Sequence, residues 1–166
     1  MKVPLKVLVE GALCIALSIA LSYVRLFSLP QGGSVSLSML PLFIFALRRG
    51  GGCGMLAGAV TGLLHLFLGG YVVHPVQALL DYPIASGALG LAGFFQSKKI
   101  LGIAVGTLCN MMCSVLSGVI FFASYAPKGM NVLLYSLMYN GSVVLTKGVI
   151  CAVLACLLLP RLEKFR

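Results

Sequence analysis

Residues 71–93 read YVVHPVQALLDYPIASGALGLAG, an apolar stretch long enough to cross a bilayer with a carboxylate set inside it. The turn Val73-His74-Pro75 leads into it, and Asp81 stands beside Tyr82. The chain has only two other acids, Glu10 and Glu163, and both lie near its ends. An ionisable group within a span costs at least ~2.5 kcal/mol on insertion scales unless it faces a cavity or a partner, so Asp81 points to function. The plain structural alternative is an acid paired with a nearby lysine, or protonated against backbone carbonyls.

Composition widens that reading to the whole chain. The 166 residues are 60% hydrophobic and 9% charged, with a mean hydropathy of +1.10. A soluble domain carries roughly 25% charged residues, so this is the composition of an integral membrane protein. At about 20 residues per crossing, the length predicts an all-α bundle of six transmembrane helices in a single domain over residues 1–166. The net charge of +9 comes from short basic groups between apolar runs, with no basic stripe, which argues against nucleic-acid binding. The six cysteines form no CxxC pair, and no disulfide framework or metal site is expected. Lys2 and Lys6 before an apolar run imitate a signal peptide, but the run from Val7 to Val24 is long for one, so an uncleaved first span is expected.

The expected spans are Lys6 to Phe27, Val35 to Leu47, Gly51 to Gly69, Tyr71 to Gly93, Ile100 to Ser124 and Met130 to Leu159. The second is short, so the loop before it, Ser28 to Ser34, is expected to dip inward where protein shields it. Span six is longer than a crossing needs and should tilt or protrude. Ala12, Ala16 and Ala20 recur every four residues on span one, a small-residue face suited either to internal packing or to docking another subunit. Gly54, Gly58 and Gly62 form a second such face. His65 reads as a hydrogen-bonded structural histidine. Lys147, near the middle of span six, is open to snorkelling, pairing with an acid or contacting a partner. Of the twelve Lys and Arg residues, nine fall on one side, Arg25 and Lys128 on the other, and Lys147 in between. The positive-inside rule then places both termini in the cytoplasm.

The unusual residues converge in the outer half. Asp81 lies about 9 Å below the outer end of span four, and Tyr135 and Asn140 about 8 and 15 Å below that of span six. Asn110, Ser114, Gly118 and Phe122 follow at four-residue intervals, one stripe along span five. Aromatic faces beside a carboxylate suit a flat cation, which gains stacking, cation–π attraction and an ion pair. No GxxxxGK[ST] loop or HExxH motif appears, and no nucleophile sits with a His–acid pair, so no catalytic residues and no cofactor are expected.

Four ordered motifs carry a resemblance. LPQGGSVSLSMLPLFIFALRRG (29–50), YVVHPVQALLDYPIA (71–85), LSGVIFFASYAPKG (116–129) and YSLMYNG (135–141) are similar to the thiamine-specific substrate-binding (S) components of energy-coupling factor (ECF) transporters. The resemblance implies a six-helix subunit of the prokaryotic plasma membrane. It would bind thiamine from outside and work with a transmembrane T component and two ATPase subunits. It also implies ligand contacts at Asp81, where the family usually has Glu, and at Tyr82, Tyr71, Tyr135, Asn140 and the close-approach Gly118. Ala12, Ala16 and Ala20 match the face that docks on the T component. Ser114, Phe122 and Asn110 stand where the family typically has His, Trp and a basic residue, and the first-loop Trp is missing. Thiamine is the first expectation for the ligand, and a thiamine precursor or related heterocycle the second. A stand-alone secondary carrier using Asp81 as a cation site is a separate reading, against which no inverted repeat and no second intramembrane acid are visible. A structural subunit without a ligand is a third.

Overall fold

The stretch MLPLFIFALRR is apolar on every side up to Arg48, and a helix of that kind belongs in the middle of a bundle. The computed structural model, which describes residues 4–28 and 33–163, puts it there. Helix α2 (Met39–Arg49) buries eight of its eleven residues, with Phe43 at its centre fully enclosed. Around it lie α1 (Leu5–Tyr23), α3 (Gly51–Phe67), a composite α4 over 75–94, α5 (Lys99–Phe121) and α6 (Val132–Glu163). Leu42, Phe43 and Phe45 of α2 form the core with Leu89 and Ala92 of α4, Ile103 of α5 and Cys151 and Leu159 of α6.

Two glycine devices set the inner packing. Gly50 has φ +94°, a left-handed conformation that lets the chain turn sharply from α2 into α3. The expected Gly54, Gly58 and Gly62 face is where α3 meets α4 with backbone almost on backbone. A Cβ at Gly58 would strike the Ser86 carbonyl, and one at Gly62 the Tyr82 carbonyl. From the other side, a Cβ at Gly90 would strike the Met55 nitrogen.

The structure has the six expected helices, with differences of two kinds, in their ends and in their lengths. Helix α2 begins at Met39 rather than Val35, α4 begins at Pro75 rather than Tyr71, and α5 ends at Phe121 rather than Ser124. Helix α1 stops at Tyr23 rather than Phe27, and Arg25–Ser28 (β1) pairs antiparallel with Ser34–Ser36 (β2). Val35 and Ser36 are buried, so backbone there needs hydrogen-bond partners, and a hairpin supplies them. The loop expected to dip inward, Ser28 to Ser34, lies mostly outside the described residues. Residues 29–32 of the loop, and the terminal Lys2, Lys164 and Arg166 used in the charge count, lie outside the described residues. Second, α1, α5 and residues Val132–Leu162 of α6 are long and apolar enough to cross a membrane, whereas α2, α3 and α4 are shorter or broken. The protein is a multi-pass membrane protein.

Charge sorts along the bundle. Arg49 forms a bidentate pair with Glu10, both contacts 2.6 Å, and Lys6 and Arg48 stand near the same carboxylate. Lys98 and Lys99 line a surface hollow with Pro160 of α6 at that end. Ala12, Ala16 and Ala20 face outward, so α1 does not use them for internal packing; it turns Gly11 and Ser18 inward instead.

Candidate functional site

Pro83 decides the shape of α4. Its missing N–H and its ring disturb the helical ladder, and the chain responds with a widened π turn over Leu80–Ile84 between α-helical Pro75–Leu79 and Ala85–Ala88, before a 3₁₀ end at Leu89–Phe94. Such π turns are frequent at functional sites. Asp81 sits in this one. Gln77 Nε2 and Ser117 Oγ each donate to Asp81 Oδ2 at 2.7 Å. Gln77 is itself buried, donates to the Tyr71 carbonyl at 3.3 Å, and accepts from Val73 N at 3.0 Å. Asp81 Oδ1 takes no hydrogen bond from the described residues and is not sealed from the cavity. Nor does a lysine neutralise the acid: Glu10–Arg49 is the one ion pair among the described residues. One oxygen is held and the other is open.

That open oxygen faces two adjoining hollows of about 510 and 690 Å³, which share Gly33, Asp81, Tyr82, Ser114, Tyr139 and Asn140. Rings make the walls of the larger. Tyr71 and Phe122 lie 6.3 Å apart, Phe122 and Tyr125 6.0 Å, and across from them Tyr135 stacks on Tyr139 at 6.2 Å. Tyr82 hydroxyl accepts from Tyr71 N at 2.7 Å, which ties the turn before α4 to α4 itself. Tyr139 hydroxyl accepts from Gly33 N at 2.8 Å and so anchors the end of the first loop over the cleft.

The nine residues singled out from sequence all line this cleft. Asp81, Tyr82, Ser114 and Asn140 border both hollows; Tyr71, Gly118, Phe122 and Tyr135 border the larger; Asn110 borders the smaller. Two are engaged in packing as well. Asn110 is buried and donates to the Ala85 carbonyl at 2.7 Å, joining α5 to α4. Asn140 Nδ2 donates to Ser136 Oγ at 3.1 Å, and Ser136 in turn donates to the Val115 carbonyl at 3.0 Å. A Cβ at Gly118 would strike Ser136 Oγ, so that glycine lets α5 and α6 close together. His65 departs from expectation: its Nε2 is buried and unpaired among the described residues.

Sequence reading missed Gln77, Ser117, Tyr139 and Gly33. Gln77 precedes Asp81 by four residues and Tyr139 follows Tyr135 by four, so helical spacing held the signal for both. Ser117 became visible only through the unusual winding of α4, which no spacing rule describes.

The arrangement can hold a flat cation between rings with its charge at Asp81. The family model described as "Thiamine transporter protein (Thia_YuaJ)" matches residues 8–166. The chain is 38% identical over 179 aligned residues to the thiamine transporter ThiT of Bacillus subtilis (strain 168), covering 95% of this chain and 93% of that one. It is 35% identical to ThiT of Lacticaseibacillus paracasei, covering 93% and 87%. A solved ThiT structure from Listeria monocytogenes superimposes with a TM-score of 0.88 at 26% identity over 96% of both chains. The S component of a bacterial ECF transporter shares the fold, with a TM-score of 0.68 at 18% identity. The matched relatives are named as transporters. With the family model spanning nearly the whole length and a relative at this identity, the chain belongs to the thiamine transporter protein (Thia_YuaJ) family.

Proposed function

We propose that this protein is a single-domain, thiamine-binding S component of an ECF-type transporter, and that it captures the cationic vitamin in the cleft at Asp81. One observation carries the reading: Asp81 Oδ1 is open, unneutralised and ringed by aromatic side chains. Burying an unpaired carboxylate is costly, and a ligand cation offsets that cost while rings supply stacking and cation–π attraction. Tyr82, Tyr71, Tyr135 and Phe122 form the walls; Ser114, Asn140 and Asn110 supply polar contacts; Gly118 allows close approach. Both termini lie in the cytoplasm, the basic end of the bundle faces inward and the cleft opens outward. The energy comes from outside this chain, from a T component docked on the exposed Ala12, Ala16 and Ala20 face and from two ATPase subunits.

Titration of purified protein with thiamine, followed by tyrosine fluorescence since the chain has no Trp, tests the ligand. Saturable binding is expected. Absence of saturation by thiamine, its phosphates or its pyrimidine and thiazole halves up to millimolar concentration removes this specificity. Uptake into vesicles that contain this chain alone, with no ATPase, would favour a stand-alone carrier instead.

A further inference from the structure

Gln77 is only 2% exposed, and every polar atom of its amide is engaged. Its Oε1 accepts from Val73 N at 3.0 Å, and its Nε2 donates to the Tyr71 carbonyl at 3.3 Å and to Asp81 Oδ2 at 2.7 Å. These partners fix which way the amide points. A backbone N–H can only donate, so the amide oxygen must face Val73. Both N–H bonds are then left for a carbonyl and a carboxylate, which only accept. A flipped amide would set donor against donor and oxygen against two oxygens. Gln77 therefore holds Oδ2 in one place, together with Ser117 on α5. The outer turn gains from the same amide. Tyr71, Val72 and Val73 are each more than half exposed, and Gln77 and Tyr82 lace this turn to α4.

What Gln77 does not bring is charge. It stands four residues before Asp81, the spacing at which a lysine or arginine would pair with the acid along one helix face. Ser117, the other donor, is neutral too. With a cation at position 77 the carboxylate would already be neutralised, and a ligand cation would have to displace that charge before making its own contact. Neutral donors set the geometry and leave the negative charge facing the cleft. We propose that Gln77 is a positioning residue that makes the cleft specific for a cation. It aims Asp81 Oδ1 at the ligand, ties that aim to the Tyr71 turn, and leaves the charge for the ligand to neutralise. This inference rests on the thiamine reading above, and in it Gln77 acts through Asp81 rather than on the ligand.

The test measures thiamine affinity by calorimetry on the purified full chain, for wild type, Gln77→Met, Asp81→Asn and the double variant. Gln77→Met should weaken thiamine about tenfold in the wild-type background and less than about twofold in the Asp81→Asn background, because the amide works through the carboxylate. Gln77→Lys, which supplies the missing charge, should weaken thiamine to about the level of Asp81→Asn. Equal losses in both backgrounds mean that Gln77 only packs, and they overturn the proposal. So does either Gln77 variant that binds as wild type does. A wild type that does not bind thiamine, or an Asp81→Asn variant of undiminished affinity, overturns the thiamine reading of the cleft and the role of Gln77 with it. Should the Gln77 variants not fold, amide hydrogen exchange on wild type decides. Thiamine slows exchange of the Val73 N–H if Gln77 fixes Asp81 and the turn together, and unchanged exchange there overturns the proposal.

Discussion

The two ends of α4 are built on opposite principles. At its 3₁₀ end, Leu89–Phe94, Gly90 and Gly93 lie so close to α3 and to the α2–α3 turn that a Cβ at either would strike backbone atoms. At the π turn, Leu80–Ile84, the helix widens and leaves a carboxylate oxygen facing open space. Glycine contacts close α4 against α3 along both parts, Gly62 reaching the Tyr82 carbonyl, while the disturbed winding opens the other side of the π turn. A bundle that must hold a ligand needs both, because an open pocket keeps its shape only when its walls are fixed elsewhere.

Substitutions at the two ends should separate these roles. The largest effect is expected for Gly90→Leu, which forces a side chain onto the backbone of Met55 and Gly54. Overpacking that cannot relax costs about 3 kcal/mol or more, read as a melting temperature about 10 °C lower or as no folded yield. If Gly90→Leu folds as well as wild type, the close packing is not what holds α4. Asp81→Asn comes next and should leave thermal stability near wild type while thiamine affinity falls about tenfold to a hundredfold by calorimetry. Unchanged affinity would take the carboxylate out of the site. Phe122→Ala breaks the ring chain from Tyr71 to Tyr125 and should cost about tenfold in affinity. The smallest effect is expected for Tyr139→Phe, which removes the acceptor for Gly33 N. A dissociation rate about threefold faster, measured by stopped-flow fluorescence, would sharpen the role of the first loop.

The closed end of α4 was easier to read from sequence than the open one, for a physical reason. Small residues repeated every four positions, as at Gly54, Gly58 and Gly62, have few uses in a membrane helix besides close packing. At the open end, the spacing of Asn110, Ser114, Gly118 and Phe122 placed a stripe on α5, and all four do border the cleft. Spacing could not reveal that Asn110 is spent on the Ala85 carbonyl, nor that Ser117, one position off the stripe, reaches Asp81. Both depend on the widened turn of α4, where ordinary helical bookkeeping fails; Pro83 was its one visible warning. The hairpin Arg25–Ser28 with Ser34–Ser36 escaped because its strands are short and continue an apolar run that also suits a helix.

The brevity of α2 has a last implication. At eleven residues it extends only about 16 Å, roughly half the thickness of a bilayer's oily interior. Met39 and Leu42, near its start, form part of the floor of the smaller hollow. The chamber thus begins where the central rod stops, and Ser34 and Ser36 of the hairpin border it. Adding a turn at Ser38 would fill the chamber, and trimming one would deepen it, so chamber size is set by where a single helix begins.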